Sequence, residues 1–207
     1  MKGIPPVPPP RAIILASASP RRADLLRLLG LEFSVRPVAI DETPRPGESP
    51  DDLVERLARS KAGAITGRFP GPVIVIGADT LVVAGGVILG KPEDRDDAAR
   101  MLASLAGRTH DVVTAVAVRA VPEEAIACER CVSRVTFAPM TRAEIDWYAG
   151  SGEGLDKAGA YALQGRGAMF VTSVEGSYTN VIGLPVDRLY PLLKTFGFLL
   201  PDRHPRP

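Results

Sequence analysis

The chain has 207 residues, 45% of them hydrophobic, which is enough for one folded unit and short for two independent domains. Its 25 Lys and Arg residues balance 24 Asp and Glu residues, so the net charge of +1 creates no global field favouring nucleic acid or a membrane surface. No run of residues is apolar and long enough to cross a membrane, and the proline-rich start lacks the apolar stretch of a signal peptide, so the sequence predicts a cytoplasmic protein.

Composition also predicts how the chain is divided. Residues 1–11 hold five prolines and are expected to form a flexible arm. Residues 12–200 are expected to form a single domain, and residues 201–207 a flexible tail.

The first predicted elements are a strand at residues 13–16, a tight turn and a helix that begins at Pro20. Ser19 suits the N-cap and Gly30 the position just past the helix end. Such a helix start presents unpaired N–H groups and a partial positive charge to an anion. The surrounding side chains that add hydroxyl or guanidinium donors are Ser17, Ser19, Arg21 and Arg22. The turn is interpreted as a phosphate cradle, with a capped helix carrying solvated arginines as the alternative.

A short strand and a polar loop come next, and the loop contains the carboxylates Asp41 and Glu42. A second cap-then-proline start, at Ser49 and Pro50, predicts the following helix. Residues 73–78 then form a continuous apolar run, which predicts a strand buried on both faces. This strand is expected to end at Asp79 and Thr80.

The rest of the chain mixes hairpins with helices, which predicts an α/β fold with a mixed sheet. A capping box, in which Thr141 is followed three residues later by Glu144, predicts one of the helices. In chain order the predicted elements are a hairpin at 81–89, a helix at 94–105, paired strands at 112–118 and 126–137, a helix through Tyr148, a strand at 168–174 and a helix at 185–196.

Carboxylates are the best catalytic candidates in this sequence. Mg²⁺ prefers a few oxygen ligands together with substrate phosphates, and Asp79, Asp41 or Glu42 beside a phosphate cradle would supply them. Asp79 is also placed to accept a proton from an attacking water. The alternatives are a turn former at a strand end for Asp79 and a solvated loop for the acidic pair.

Two lysines are candidates for neutralising charge on a phosphate, Lys61 in the second helix and Lys91 in a Gly-Lys-Pro loop. A surface charge is the alternative for each. His110 enters a strand, so packing or hydrogen bonding is favoured over a role in a catalytic triad.

Other functions lose support from the motifs that the chain lacks or misplaces. The sequence contains no P-loop and no G-x-G-x-x-G that opens a helix after a strand. Cys128 and Cys131 lie in a predicted strand, where residues three apart face opposite sides, so ordinary packing is favoured over metal or redox chemistry.

Several motifs together resemble the Maf family of nucleotide pyrophosphatases, over residues 12–196. In chain order they are Ser17-Ala18-Ser19-Pro20-Arg21-Arg22, Asp41-Glu42, Arg56-Leu57-Ala58 through Lys61-Ala62, Gly77-Ala78-Asp79-Thr80, Gly90-Lys91-Pro92, Gly107-Arg108-Thr109-His110, Asp156-Lys157-Ala158-Gly159-Ala160-Tyr161, Gln164-Gly165, and Gly176-Ser177-Tyr178 with Gly183-Leu184-Pro185. Many co-linear motifs are much harder to obtain by chance than any one of them.

The resemblance implies an elongated two-lobed α/β fold related to the inosine triphosphatase architecture, with a central mixed sheet, flanking helices, a cleft between the lobes, and often a homodimer. It implies metal-dependent hydrolysis of a nucleoside triphosphate between its α and β phosphates, with Mg²⁺ or Mn²⁺ as the expected cofactor. By position, Asp79 would be the general base and, with Glu42, a metal ligand, while Lys61 and Lys91 would contact phosphate. The N-terminal turn would bind the phosphate chain.

Within that family, one branch that acts on dTTP and UTP resembles this chain at three positions, Arg21, Thr80 and Gln164. A Gln amide can both accept a hydrogen bond from N3–H of uracil or thymine and donate one to O4, and when flipped it suits cytosine. Gly154 stands where this branch has proline, and a glycine is expected to loosen the loop. The alternatives are a pyrophosphatase for modified nucleotides such as 7-methyl-GTP, and a non-catalytic nucleotide-binding regulator of septum formation.

Overall fold

A computed structural model describes residues 11–198. The predicted C-terminal tail and all but the last residue of the predicted N-terminal arm lie outside the described residues. The strands are β1 (Ala12–Leu15), β2 (Phe33–Val35), β3 (Val73–Ala84), β4 (Val87–Leu89), β5 (Thr109–Val121), β6 (Ile126–Phe137) and β7 (Val171–Glu175). The α-helices are α1 (Pro20–Leu28), α2 (Pro50–Gly63), α3 (Arg95–Leu105), α4 (Arg142–Gly150), α5 (Tyr178–Ile182) and α6 (Val186–Thr195).

The seven strands of the described residues form one sheet in the order β2-β1-β3-β5-β6-β7, with β4 paired to the far half of β3. The β1 strand runs parallel to β2 and β3, whereas the remaining pairs are antiparallel. Short turns join β3 to β4 and β5 to β6, whereas longer segments that contain α3 and α4 lead into β5 and β7. The helices α1 and α2 lie on the parallel connections. The predicted α/β class and mixed sheet are confirmed.

Side chains alternate between the two faces of β3, and each face builds a separate core. Ile74 and Ile76 pack with α1 and α6 on one face, while Val73 and Val75 pack with α2 on the other. A third apolar cluster gathers α3 and α4 around the far half of the sheet, where Val82 belongs to it. The predicted flanking helices are therefore present on both faces and at one end of the sheet.

Helix starts agree with the predicted caps at most places. The Ser49 side chain accepts a hydrogen bond from the Asp52 N–H, and Thr141 and Glu144 form the complete capping box of α4. Pro20 is the first residue of α1, as predicted, but within the described residues the Ser19 hydroxyl makes no capping hydrogen bond. The Ser19 N–H instead donates to Ser17 Oγ at 3.2 Å.

Some predicted boundaries were wrong, and one short helix was missed. The β3 strand does not end at Asp79 but continues to Ala84, because it pairs with β5 along its whole length and Asp79 lies opposite Ala115. Residues 166–170 form a 3₁₀ helix rather than the start of a strand. The short helix α5 was not predicted, since five residues give too little periodicity.

Gly154 lies in a closely packed part of its loop. It is buried, and a Cβ at this position would collide with the backbone of Ala160, so the glycine allows two backbone segments to lie in close contact. The described helices are too short or too polar to cross a lipid bilayer.

Candidate active site

A cleft of about 660 Å³ lies where the three apolar clusters meet. Its walls come from the α1 start, the loop before α2, the middle of β3 and residues 156–164. All of the residues predicted for catalysis, phosphate binding or specificity line it, namely Ser17, Ser19, Arg21, Arg22, Glu42, Lys61, Asp79, Thr80, Lys91 and Gln164. The remaining carboxylate of the acidic pair, Asp41, is exposed and accepts a hydrogen bond from the Thr43 N–H.

Lys61 joins the two cleft carboxylates at the centre of the site. Its Nζ lies 2.5 Å from Asp79 Oδ1 and 2.7 Å from Glu42 Oε1. Both Lys61 and Asp79 are buried, and a charge in such a place is tolerated when it is paired. Asp79 therefore lies within β3 and pairs with Lys61 of α2. The alternative interpretation, a turn former at the end of a strand, was wrong.

The close packing of α2 on β3 sets this distance. Gly77 lies two residues before Asp79, and a Cβ there would come within 2.5 Å of the Ala62 backbone nitrogen. Because glycine has no Cβ, the helix that carries Lys61 can lie directly on the strand that carries Asp79.

Glu42 is held as a carboxylate. Burial of its carboxyl opposes ionisation, but the hydrogen bond and charge of Lys61, with the charges of Lys91 and Arg22, outweigh it and hold the pKa of Glu42 below its usual value. Its loop is tied to α2 by Arg56, which donates to Glu48 and to the Thr43 carbonyl oxygen.

The two arginines of the N-terminal turn differ in their surroundings. Arg22 is buried, and its three nitrogens donate to the Gly183 carbonyl, to Ser17 Oγ and to Thr80 Oγ1. Burial lowers the pKa of Arg22, while the nearby Asp79 carboxylate opposes that effect. Arg21 instead reaches across the cleft mouth to Asp156, at 3.2 Å.

Thr80 links the turn to the interior of the sheet. Its hydroxyl lies 3.0 Å from Thr114 Oγ1, and Thr114 Oγ1 donates to the Asn180 carbonyl at 3.1 Å. Asn180 is fully buried and donates to the Val112 carbonyl and to Ser133 Oγ. The specificity candidate Thr80 therefore stands at the end of a buried polar network that sequence reasoning missed.

Gln164 lies on the opposite wall, in the segment 162–167. Residues 156 and 157 of that wall were matched only as part of a motif, and the structure adds their contacts: Lys157 Nζ donates to Asp156 at 2.5 Å and to the Glu153 carbonyl at 2.6 Å. The wall thus carries its own charged pair beside the cleft.

His110 and the cysteines have the packing roles that the sequence favoured. His110 Nε2 lies 2.9 Å from Tyr161 Oη, the ring packs edge-on against Phe137, and burial lowers the pKa of His110 to about 4. Cys128 packs with the α2 side of the sheet, whereas Cys131 lies near Asp187 and Arg188 of α6. The two thiols face opposite sides, as predicted.

The donor set fits a magnesium ion that completes its ligands with substrate oxygen. The described residues contain no group of three His, Cys, Asp or Glu side chains that would hold a metal by themselves. Two carboxylates, Glu42 and Asp79, share one cation in the structure, the Lys61 ammonium. One or two carboxylates together with phosphates and water are the ligands that Mg²⁺ prefers.

Comparison with known proteins gives one consistent family. The family model described as Maf-like protein matches residues 12–196. The chain is 50% identical over 186 residues to the dTTP/UTP pyrophosphatase of Symbiobacterium thermophilum, covering 90% of this chain and 94% of the relative. It is 49% identical over 191 residues to the protein of the same name from Myxococcus xanthus, covering 92% and 95%.

Two solved structures are also similar. The Ham1 protein of Staphylococcus aureus aligns with a TM-score of 0.45 at 13% identity, over 90% of this chain and all of that one. A nucleoside-triphosphatase, described as a dITP/XTP pyrophosphatase, from Mycobacterium abscessus aligns with a TM-score of 0.36 at 20% identity, over 62% of this chain and 75% of that one.

Proposed function

The chain belongs to the Maf-like protein family, and on that premise we propose that its cleft hydrolyses dTTP and UTP to the nucleoside monophosphate and pyrophosphate. The observation that carries the proposal is the Asp79–Lys61–Glu42 cluster at the centre of the cleft. At about 660 Å³ the cleft has the size of a site for a small molecule such as a nucleotide.

Asp79 is proposed as the general base. Its carboxylate is buried beside the cleft and held by Lys61, so it is fixed in place to accept a proton from the water that attacks phosphorus. Lys61 holds the carboxylate in place through its hydrogen bond and offers positive charge to the phosphate chain as negative charge develops there.

The phosphate chain is proposed to lie between the N-terminal turn and Lys91. Arg21 presents a guanidinium at the cleft mouth, where a triphosphate competes with Asp156 for it. Ser17 and Ser19 line the same wall as hydroxyl donors, and Arg22 adds a fixed positive charge behind them. The geometry suits a ligand that carries several negative charges.

Glu42 and Asp79 would hold a divalent cation together with substrate phosphates. When bound, such an ion supplies Lewis-acid polarisation of the phosphoryl oxygens and neutralises their charge. Mg²⁺ and Mn²⁺ are the proposed ions because the donors are oxygens.

Gln164 is proposed to recognise the base. Its amide can accept from N3–H and donate to O4 of uracil and thymine, the pattern that these two bases share. Arg21 and Thr80, on the facing wall, complete the proposed specificity set.

The proposal is tested with a panel of triphosphates, dTTP, UTP, CTP, GTP and 7-methyl-GTP, assayed with Mg²⁺ and with Mn²⁺. We expect release of pyrophosphate, fastest with dTTP and UTP, and none when the metal is chelated. Orthophosphate as the first product would overturn the reaction, and the highest kcat/KM with 7-methyl-GTP would overturn the substrate. Tight binding without turnover across the panel would favour the non-catalytic regulator.

A further inference from the structure

Glu153 joins α4 to the wall of the cleft that carries Gln164. Its carboxylate accepts three hydrogen bonds, from Tyr148 Oη at 2.8 Å, from the Arg166 N–H at 3.0 Å and from the Gly167 N–H at 3.1 Å. None of these contacts touches the charged cluster around Asp79. Glu153 therefore serves the segment 162–167 rather than the centre of the site.

Tyr148 holds the other end of the same segment. Its ring is almost fully buried at 1% exposure, and its Oη accepts a hydrogen bond from the Ala162 N–H at 3.0 Å while donating to Glu153. The residues 162, 166 and 167 are thus tied by their backbone N–H groups to two side chains, and Gln164 lies between the tied ends.

Two glycines adapt the segment to these side chains. Gly165 has a φ of +131°, and a Cβ on it would lie 2.7 Å from Glu153 Oε2. A Cβ on Gly167 would lie 2.6 Å from Tyr148 Oη. Only residues without a Cβ fit so close to the carboxylate and the phenol, which makes the backbone path of the segment specific to this pair of side chains.

The Glu153 carboxylate is ionised in this setting. Burial opposes its ionisation, but the backbone N–H groups of Arg166 and Gly167, the Tyr148 hydroxyl and the charge of Lys157 outweigh it, so the pKa of Glu153 lies below its usual value. A carboxylate has acceptor sites only, which matches the three donors that it faces.

We propose that Glu153 and Tyr148 are positioning residues that hold the backbone of Gln164 in the place from which its amide reads uracil and thymine. The inference rests on the proposed function, because it assigns to Gln164 the reading of the base. The amide of Gln164 can reach N3 and O4 of the base only from a suitable place on the wall, so reading of the base depends on the backbone position from which the side chain extends. The tied segment provides that fixed backbone.

Glu153→Gln tests the proposal with little change of volume. The amide has one oxygen where the carboxylate has two, so its NH₂ group must face at least one of the three donors. The segment then loses a hydrogen bond and gains a donor–donor contact, which frees Gln164. Glu144→Gln is the matched control. The Glu144 carboxylate also accepts a hydrogen bond from a backbone N–H, at the start of α4, and Gln serves equally well in a capping box.

The main readout is the ratio of kcat/KM for UTP to that for CTP. We expect Glu153→Gln to lower this ratio by about tenfold, with the loss falling on UTP, and Glu144→Gln to leave it unchanged. Gln164→Ala should lower the ratio as well, and adding Glu153→Gln to it should lower the ratio no further, since one residue acts through the other. Equal losses for UTP and CTP, or multiplied losses in the double variant, would overturn the proposal.

Amide hydrogen exchange gives a second readout that does not need turnover. Protection of residues 162–167 should fall in Glu153→Gln and stay at the wild-type level in Glu144→Gln. Unchanged protection in Glu153→Gln would overturn the positioning role whatever the kinetics. A wild-type enzyme without preference for UTP over CTP would instead refute the part of the proposed function that selects uracil over cytosine. In that case a fall in the protection of residues 162–167 in Glu153→Gln would still show that Glu153 holds the segment.

Discussion

At the scale of single residues, the site depends on how charge is shared among buried groups. Lys61 is hydrogen-bonded to two carboxylates, Asp79 and Glu42, and the positive charges of Arg22 and Lys91 lie close to the same cluster. A buried ion pair contributes little to stability on its own because both groups lose hydration. Its role here is that Lys61 fixes the Asp79 carboxylate beside the space where substrate would lie.

Asp79→Asn should lower kcat by about 10²- to 10⁴-fold, the range expected when a general base is removed. Asparagine keeps the volume of the side chain and an oxygen that accepts from Lys61, so circular dichroism should report an unchanged fold. The measurement is the initial rate of pyrophosphate release from dTTP. Asp146→Asn, in an exposed i,i+4 pair with Arg142, is the control that should retain full activity. A kcat near the wild-type value in Asp79→Asn would refute the base assignment.

His110 should make stability depend on pH. Burial lowers its pKa in the folded protein to about 4, against 6.5 for the unfolded chain, so between these values only the unfolded state binds the proton. The contribution of neutral His110 to the free energy of unfolding is complete above pH 6.5. It is lost as the pH falls towards 4, and the total loss is roughly 3 kcal/mol. Chemical denaturation at pH 7 and pH 4.5 should show a smaller loss of unfolding free energy in His110→Gln than in the wild type. Equal losses would contradict this role.

At the scale of secondary structure, the close contact between α2 and β3 determines where the catalytic groups lie. Lys61 is on the helix, Asp79 is on the strand, and at Gly77 the two backbones lie too close together to leave room for a Cβ. The geometry of the site therefore depends on a residue that touches no substrate.

Gly77→Ala should force α2 away from β3. We expect a loss of about 1–3 kcal/mol in the free energy of unfolding, as for other overpacked contacts, together with a lower kcat as Lys61 moves from Asp79. Gly63→Ala, at the exposed end of the same helix, meets nothing within 4 Å and should leave both quantities unchanged or slightly raise stability. Denaturant unfolding measures the free energy, and initial rates of pyrophosphate release measure kcat. A Gly77→Ala protein with the wild-type kcat would contradict the claim that packing at Gly77 positions Lys61 against Asp79.

The elements that could be predicted from sequence are those with local signals. Proline and cap residues marked the starts of α1, α2 and α4, and an apolar run marked the first half of β3. The continuation of β3 through Asp79 could not be predicted, because its cause is pairing with β5 and neutralisation by Lys61. Glu153 and Tyr148 were missed for the same reason, since their hydrogen bonds join distant parts of the chain.

Motifs were more informative about the site than about the fold. Asp79 stood out as a carboxylate beside an apolar strand, and Lys61 and Lys91 were candidates for which a surface charge was the alternative. Gln164 gained a place only through the resemblance. The structure brings all four to one cleft. It also separates Asp41 from Glu42, a distinction that depends on how the loop at residues 39–48 folds back on α2 through Arg56.

At the scale of the whole molecule, the long strands β3 and β5 run through all three apolar clusters. Clusters that share continuous strands cannot lose their packing separately without breaking the sheet that joins them. We therefore propose that residues 12–200 form one cooperative domain, with the cleft as a gap in its packing rather than a boundary between domains.

Unfolding should thus be a single transition. Trp147 is the only tryptophan of the chain and lies on α4, so its fluorescence reports on the surroundings of that helix, whereas far-ultraviolet circular dichroism reports on all helices. The two signals should give the same denaturation midpoint. Two separated midpoints would contradict a single domain.

Sedimentation equilibrium of the native protein tests the expected homodimer.

Hydrolysis of the bond between the α and β phosphates is tested most directly by ³¹P NMR of dTTP during turnover with Mg²⁺. The proposed function predicts that thymidine monophosphate and pyrophosphate appear together in equal amounts, and that Asp79→Asn forms neither at a comparable rate. Appearance of thymidine diphosphate with orthophosphate, or unchanged dTTP in the presence of folded wild-type protein, would contradict it.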